Sequence, residues 1–303
     1  RFKPQLSLAD HAALMQGHNP RPDDWVAKVA QHPKLIDRPH EAAAQALTRY
    51  ACKMATGSGK TVLMALLLAW AFCNRGRTPQ DARFPRRSLI VCPNLTIKDR
   101  LSVLRPGDAQ NYFDKFDLVP SALRPDLAKG RVLVSNWHLF SPQAEDIRVG
   151  GVTVGQLGAE TPESFARARL GDLWEGEQGE SLLVFNDEGH HAYRPAPVPA
   201  IDTLSAEDRA EREEATVWVS GLDKLHAACG VAFCVDLSAT PFYLQGSGYP
   251  EGSPFPWIVS DFGLVDAIES GITKIPRLPA ADNTGRPEPQ FFRLWQHVTT
   301  DLT

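Results

Sequence analysis

The sequence predicts an α/β domain: a buried parallel sheet with helices on both faces. Three observations carry this. Five short β-rich runs recur whose apolar character is nearly continuous rather than alternating, as strands covered on both faces require. Helical patterns lie between them, so strand and helix alternate along the chain. A length of 303 residues at 43% hydrophobic content allows a sizeable core.

In chain order the strand-like runs are residues 50–54, 88–92, 131–135, 181–185 and 231–237, and the clearest helical patterns are 61–74 and 206–229. A further helical segment, 39–47, runs into the strand at Arg49 with almost no connecting residues. Residues 141–180 are rich in glycine and charge and are expected to form an insertion with weak structure of its own. Residues 194–216 open with prolines and continue as a charged stretch, 206–214, that reads as a solvated helix face. The tail from Ile275 has the Pro, Asn and Gly content of a linker. The expected division is an N-terminal extension over 1–36, the α/β domain over 37–274 with its insertion, and a linker over 275–303.

Charge gives no general attraction for nucleic acid: 32 Lys+Arg against 36 Asp+Glu leave a net charge of -4. Any such contact must come from a local patch or from backbone amides. The five cysteines form no CxxC pair, and several sit inside apolar runs as reduced thiols would, which points to the cytoplasm. The longest apolar stretch, 62–73, is too short to span a bilayer, and the first residues lack a signal-peptide pattern, so neither membrane nor export is expected.

The strongest chemical signal is Ala55-Thr56-Gly57-Ser58-Gly59-Lys60-Thr61, directly after a strand and directly before a helix. That context is the one a phosphate-binding P-loop requires. Gly57 and Gly59 let the backbone curl so that amides, including those of Thr56 and Ser58, point at phosphate oxygens. The helix beginning near Lys60 adds its N-terminal dipole. Lys60 supplies a mobile charge for the β and γ phosphates, and the Thr61 hydroxyl can enter a Mg²⁺ coordination shell, so ATP and Mg²⁺ are the expected ligands. Met54 stands where the general pattern has its first glycine.

A carboxylate pair completes such a site. Asp187 and Glu188 follow the run 181–185, at the sheet edge where ligands bind in open α/β folds. Asp187 is the candidate Mg²⁺ ligand, direct or through water, and Glu188 the candidate base that polarises the attacking water. In isolation an Asp-Glu pair at a strand end reads as a helix cap. His190 and His191 come next, but no Cys or carboxylate at ligand spacing joins them, so no structural metal is expected. His190 reads instead as a relay of nucleotide state. Ser238-Ala239-Thr240-Pro241 closes the last core run, and the hydroxyls of Ser238 and Thr240 are placed to couple the acidic pair to a neighbouring domain.

Taken in order, 55–61, Asp187-Glu188-Gly189-His190 and Ser238-Ala239-Thr240-Pro241 resemble motifs I, II and III of superfamily 2 helicases. The nearest resemblance is to the motor subunit of type III restriction enzymes. There, Cys92-Pro93-Asn94-Leu95-Thr96 is similar to motif Ia, Val134-Ser135-Asn136-Trp137-His138 to motif Ib, and 261–272 to the exit from the first motor domain. The resemblance covers roughly residues 37–278. It implies a RecA-like P-loop NTPase domain, with Pro93, Asn94, Thr96, Asn136 and His138 along the path of one nucleic-acid strand, touching phosphates without reading sequence. Gly189 stands where the family usually has alanine, and is expected to add backbone freedom beside the carboxylates.

The resemblance further implies double-stranded DNA as partner. A second RecA-like domain with its arginine finger and a nuclease domain are expected beyond this chain, and a methyltransferase-type specificity subunit as a companion. Two other readings stand beside the DNA-dependent ATPase. One is a nucleotide- and DNA-binding module without turnover alone; the other is a small-molecule P-loop kinase. Against the kinase, Arg75, Arg77, Arg83, Arg86 and Arg87 gather at the start of a strand rather than on a lid.

Overall fold

The computed structural model describes residues 36–37, 45–141, 146–149, 152–156, 160–176, 179–196 and 204–273. The expected extension, most of the 39–47 segment and the linker from Ile275 lie outside them. The strands are β1 (Ile36–Asp37), β2 (Leu47–Met54), β3 (Arg87–Cys92), β4 (Arg131–Asn136), β5 (Asp146–Val149), β6 (Val152–Gln156), β7 (Leu182–Asp187), β8 (Val231–Ser238) and β9 (Ile258–Phe262). Longer helices are α1 (Lys60–Arg77), α2 (Leu95–Arg100), α3 (Pro162–Leu170), α4 (Ala206–Cys229) and α5 (Leu264–Glu269).

The main sheet runs β1-β2-β8-β7-β3-β4, with β9 also on β2. Six of its strands are parallel; the two-residue β1 is antiparallel to β2. β3 and β7 are buried at every position, and their side chains divide between two cores, as period-2 alternation demands. On one face α1 lays Met64, Leu68 and Phe72 against Ile90, Leu183, Phe185 and Val235. On the other, α3 and α4 lay Phe165, Leu170, Trp218 and Leu222 against Leu89, Val91, Val184 and Cys234. The expected α/β class, with helices on both faces, is the one observed.

Three expectations are corrected. The helical segment ending at Leu47 gives way to strand: Leu47 and Thr48 already belong to β2, whose Leu47 and Arg49 are fully buried. Arg49 concealed the true start, because a charged residue interrupts the apolar run. The 141–180 region is not weakly structured throughout. It contains the β5–β6 hairpin and α3, which Thr161 caps by accepting from the Ser164 amide at 3.2 Å. Finally, β9 is a strand that the pattern did not mark, because its residues stay half-buried or exposed at the sheet edge. Helix α4 begins with a Ser205–Asp208 capping box and spans the residues expected of it. No helix among the described residues is long and apolar enough to cross a membrane.

Candidate functional site

All the predicted motifs leave the carboxyl edge of one sheet. Strand order sets their sequence in space: the loop after β2, then those after β8, β7, β3 and β4. β2 ends at Met54, and the Ala55 amide donates to the Phe262 carbonyl at 2.9 Å, so β9 anchors the start of the loop. The loop then turns back on itself, with the Ser58 amide and hydroxyl both donating to the Ala55 carbonyl at 3.1 and 2.6 Å. Gly57 and Gly59 hold φ of 81° and 99°, a region costly for any side chain. No side chain caps the N-terminus of the 18-residue α1. Its first amides and positive dipole end therefore face a cleft of about 360 Å³ lined by Thr56, Gly57, Gly59, Lys60 and Thr61 from the loop.

The opposite wall is acidic. β7 delivers Asp187, 8% exposed, and Glu188 to the same cleft. Glu188 is one of two non-glycine residues with positive φ among those described (51°), a conformation that costs roughly 1–3 kcal/mol and gathers at functional sites. It turns the chain sharply out of β7, and Glu188 Oε1 accepts from Lys60 Nζ. Burial, reinforced by Glu188 and opposed by Lys60, pushes the Asp187 carboxyl up from its ordinary range.

His190 lies beside Glu188 with Nδ1 3.5 Å from Oε2 and 2.9 Å from Ser238 Oγ. Burial pushes its imidazole down to about 4, so the ring is neutral at pH 7 and offers one donor and one acceptor. Ser238 Oγ also accepts from the Thr240 amide at 3.0 Å. Both His190 contacts use the same ring nitrogen, so the hydrogen-bonded chain runs from His190 through Ser238 to the Thr240 amide, with the Glu188 carboxylate beside its start. The Thr240 backbone carries the last link, and its side chain is exposed.

Beneath the cleft lies a buried polar network. Asp236, on β8, accepts from Arg49 on β2 (2.9 Å), Asn186 on β7 (2.6 Å) and the Trp257 indole (2.8 Å). Trp218 of α4 donates to Asn186 at 3.0 Å, and Arg49 also reaches Asp37 and the Ala192 carbonyl. The network ties β2, β8 and β7 together, near the carboxyl ends of β7 and β8 and towards the amino end of β2. It also explains Gly189: a Cβ there would lie 2.8 Å from Asp236 Cβ and 3.1 Å from its Cα. Glycine is required by close approach, not for backbone freedom.

The predicted nucleic-acid residues sit at the ends of adjacent strands, since Cys92 pairs with Asn136 in the β3–β4 register. Asn94 caps α2, its side chain accepting from the Ile97 amide at 3.0 Å. Thr96 and His138 are exposed and Pro93 half-buried, whereas Asn136 is buried at 9% exposure. The His138 ring lies tilted by 42° against Trp137, ring centroids 3.8 Å apart. Missed from the sequence were Ile97 and Arg100, which line the cleft from α2, and Tyr112, which lines it from the short helix Tyr112–Lys115. Their only signal was position downstream of the 92–96 motif.

The donor set fits the expected ligands. A hydroxyl, a carboxylate and a cradle of amides suit Mg²⁺ carried on a polyphosphate, because that ion takes few protein ligands. Among the described residues no cluster of three or more His, Cys, Asp or Glu is placed to hold a metal by itself. No curated protein matches the chain. A family model described as type III restriction enzyme, res subunit, matches residues 24–243; with its motifs on one sheet edge in the order described above, the chain belongs to that family.

Proposed function

We propose that the chain is the ATP-binding first motor domain of a DNA-dependent ATPase and translocase serving restriction or phage defence. Family membership supplies the coarse frame, a helicase-like ATPase of restriction systems. The observation that carries the finer reading is the convergence of Lys60, Asp187 and Glu188 on one cleft at the uncapped end of α1.

The loop amides and helix dipole attract phosphate, and Lys60 Nζ, shared with Glu188, is the mobile charge. A phosphate anion competes with Glu188 for that ammonium. The released Glu188 carboxylate then orients and polarises water for in-line attack. Asp187, directly or through water, and the Thr61 hydroxyl would hold Mg²⁺, which would neutralise charge on the phosphate oxygens. His190 passes the change at Glu188 to Ser238 and Thr240, on the loop after β8. Pro93, Asn94, Thr96, Asn136 and His138 line the strand path, with Asn94, Thr96 and His138 exposed. In this reading residues 37–274 form one RecA-like lobe. Its partners are duplex DNA, a second RecA-like domain, a nuclease domain and a methyltransferase-type subunit that reads sequence.

The test is ATP hydrolysis by this chain and by its longest natural extension, with and without double-stranded DNA. DNA stimulation of the extension, with loss of at least about 100-fold in kcat for Lys60→Ala and Glu188→Gln, is the expected result. Stimulation by a small phosphate acceptor instead of DNA would replace the translocase with a kinase.

A further inference from the structure

The cleft contains a second cation that the P-loop reading does not use. Arg100, the last residue of α2, lines it together with Lys60, Asp187 and Glu188. It is exposed, and among the described residues no carboxylate pairs with its guanidinium. Lys60, by contrast, is shared with Glu188. The wall therefore holds two carboxylates and two cations, of which Arg100 alone is uncommitted. A basic residue in the last turn of a helix is ordinarily explained by the dipole. That explanation does not account for this one lying in the wall of the cleft that the P-loop opens into.

We propose that Arg100 is a phosphate ligand supplied in cis: its guanidinium binds the terminal phosphate of the nucleoside triphosphate held by the P-loop. The proposal rests on the nucleotide reading of the cleft and deepens it. A planar fork of donors suits phosphate oxygens better than a point charge does. A diphosphate, which lacks the terminal group, would leave Arg100 in water, so the residue separates the two nucleotide states.

Its position gives that distinction a mechanical outlet. Arg100 ends the same six-residue helix whose other end is capped by Asn94, at the proposed nucleic-acid face. At 1.5 Å per residue the two ends are about 9 Å apart. A pull on Arg100 is felt at Asn94 through one turn and a half of helix.

The experiment compares binding of fluorescent mant-ATPγS and mant-ADP, with Mg²⁺, to the full 303-residue chain and to its Arg100→Ala and Arg100→Lys variants, each checked for an unchanged circular dichroism spectrum. Arg100→Ala should weaken mant-ATPγS about tenfold and mant-ADP less than about twofold, with Arg100→Lys restoring part of the difference. Equal affinities for wild type and Arg100→Ala, or equal weakening for both nucleotides, would overturn the assignment. Absence of nucleotide binding by the wild-type chain, with Lys60→Ala as the reference, would instead remove the nucleotide reading on which it stands.

Discussion

Gly189 and Glu214 put the residue-scale energetics to the test. Gly189→Ala drives a methyl against Cβ and Cα of Asp236 and should cost about 1–3 kcal/mol, read as a lower urea midpoint. An unchanged midpoint would mean that β7 and β8 separate easily, against the buried network that ties them. Glu214, on α4, is pushed up to about 7 by burial and by Glu211. Its neighbour His191, 4.0 Å away, is pushed down by burial, so the contact is not an ion pair near neutrality. With a folded value above the unfolded 4.5, the folded chain holds the extra proton between pH 4.5 and 7, and stability is lost as pH rises through that window. Glu214→Gln should therefore stabilise the chain at pH 8 by up to about 3 kcal/mol and leave it unchanged near pH 4; parallel stability curves from pH 5 to 8 would contradict this. At this scale the P-loop and acidic pair were legible because their chemistry requires fixed spacing. Arg49, Asp236 and Arg100 were not, because a buried or cleft-facing role for a charged residue depends on partners nearly 190 positions away, or on which way a short helix points.

Element α3 shows what composition conceals. Glycines and charges on both sides of it hide a helix whose Phe165, Ala166 and Leu170 are buried in the same core as Trp218. Arg169, also buried, donates to the Leu139 carbonyl at 2.8 Å and pairs with Glu160. Phe165→Ala should cost about 3–5 kcal/mol in chemical denaturation, the figure for an aromatic in a packed core. A loss under about 1 kcal/mol would restore the picture of a loose insertion. β3 and β7 were the plainest of the apolar runs because each is covered on both faces; β9, on the edge, buries too little to leave that mark. Helix α4 was legible to the residue because Ser205 and Asp208 signal its start and Gly230, with φ of 77°, its end.

For the whole molecule, the site is a junction of strands rather than a pocket added to a finished domain. Ligand binding should therefore stabilise the entire sheet. Mg²⁺ and ATPγS at 100 times the dissociation constant should add about 2.7 kcal/mol to unfolding, seen as a raised Tm that Lys60→Ala abolishes. A ligand-dependent Tm in Lys60→Ala would place the nucleotide elsewhere. The register of β2 has a consequence in time. Its parallel neighbours are β8 and β9, so Arg49 waits for Cys234 and Ala51 for Ile258. At about 5–20 residues per second, a ribosome takes roughly 10–40 s to supply them. Through that interval the strand that carries the P-loop lacks both parallel partners, while β3, β4 and β7 can already pair among themselves. The proposed nucleotide site is thus one of the last parts of the sheet to close during synthesis, and a nascent chain stopped before β8 would expose the strand that leads into the P-loop to chaperones.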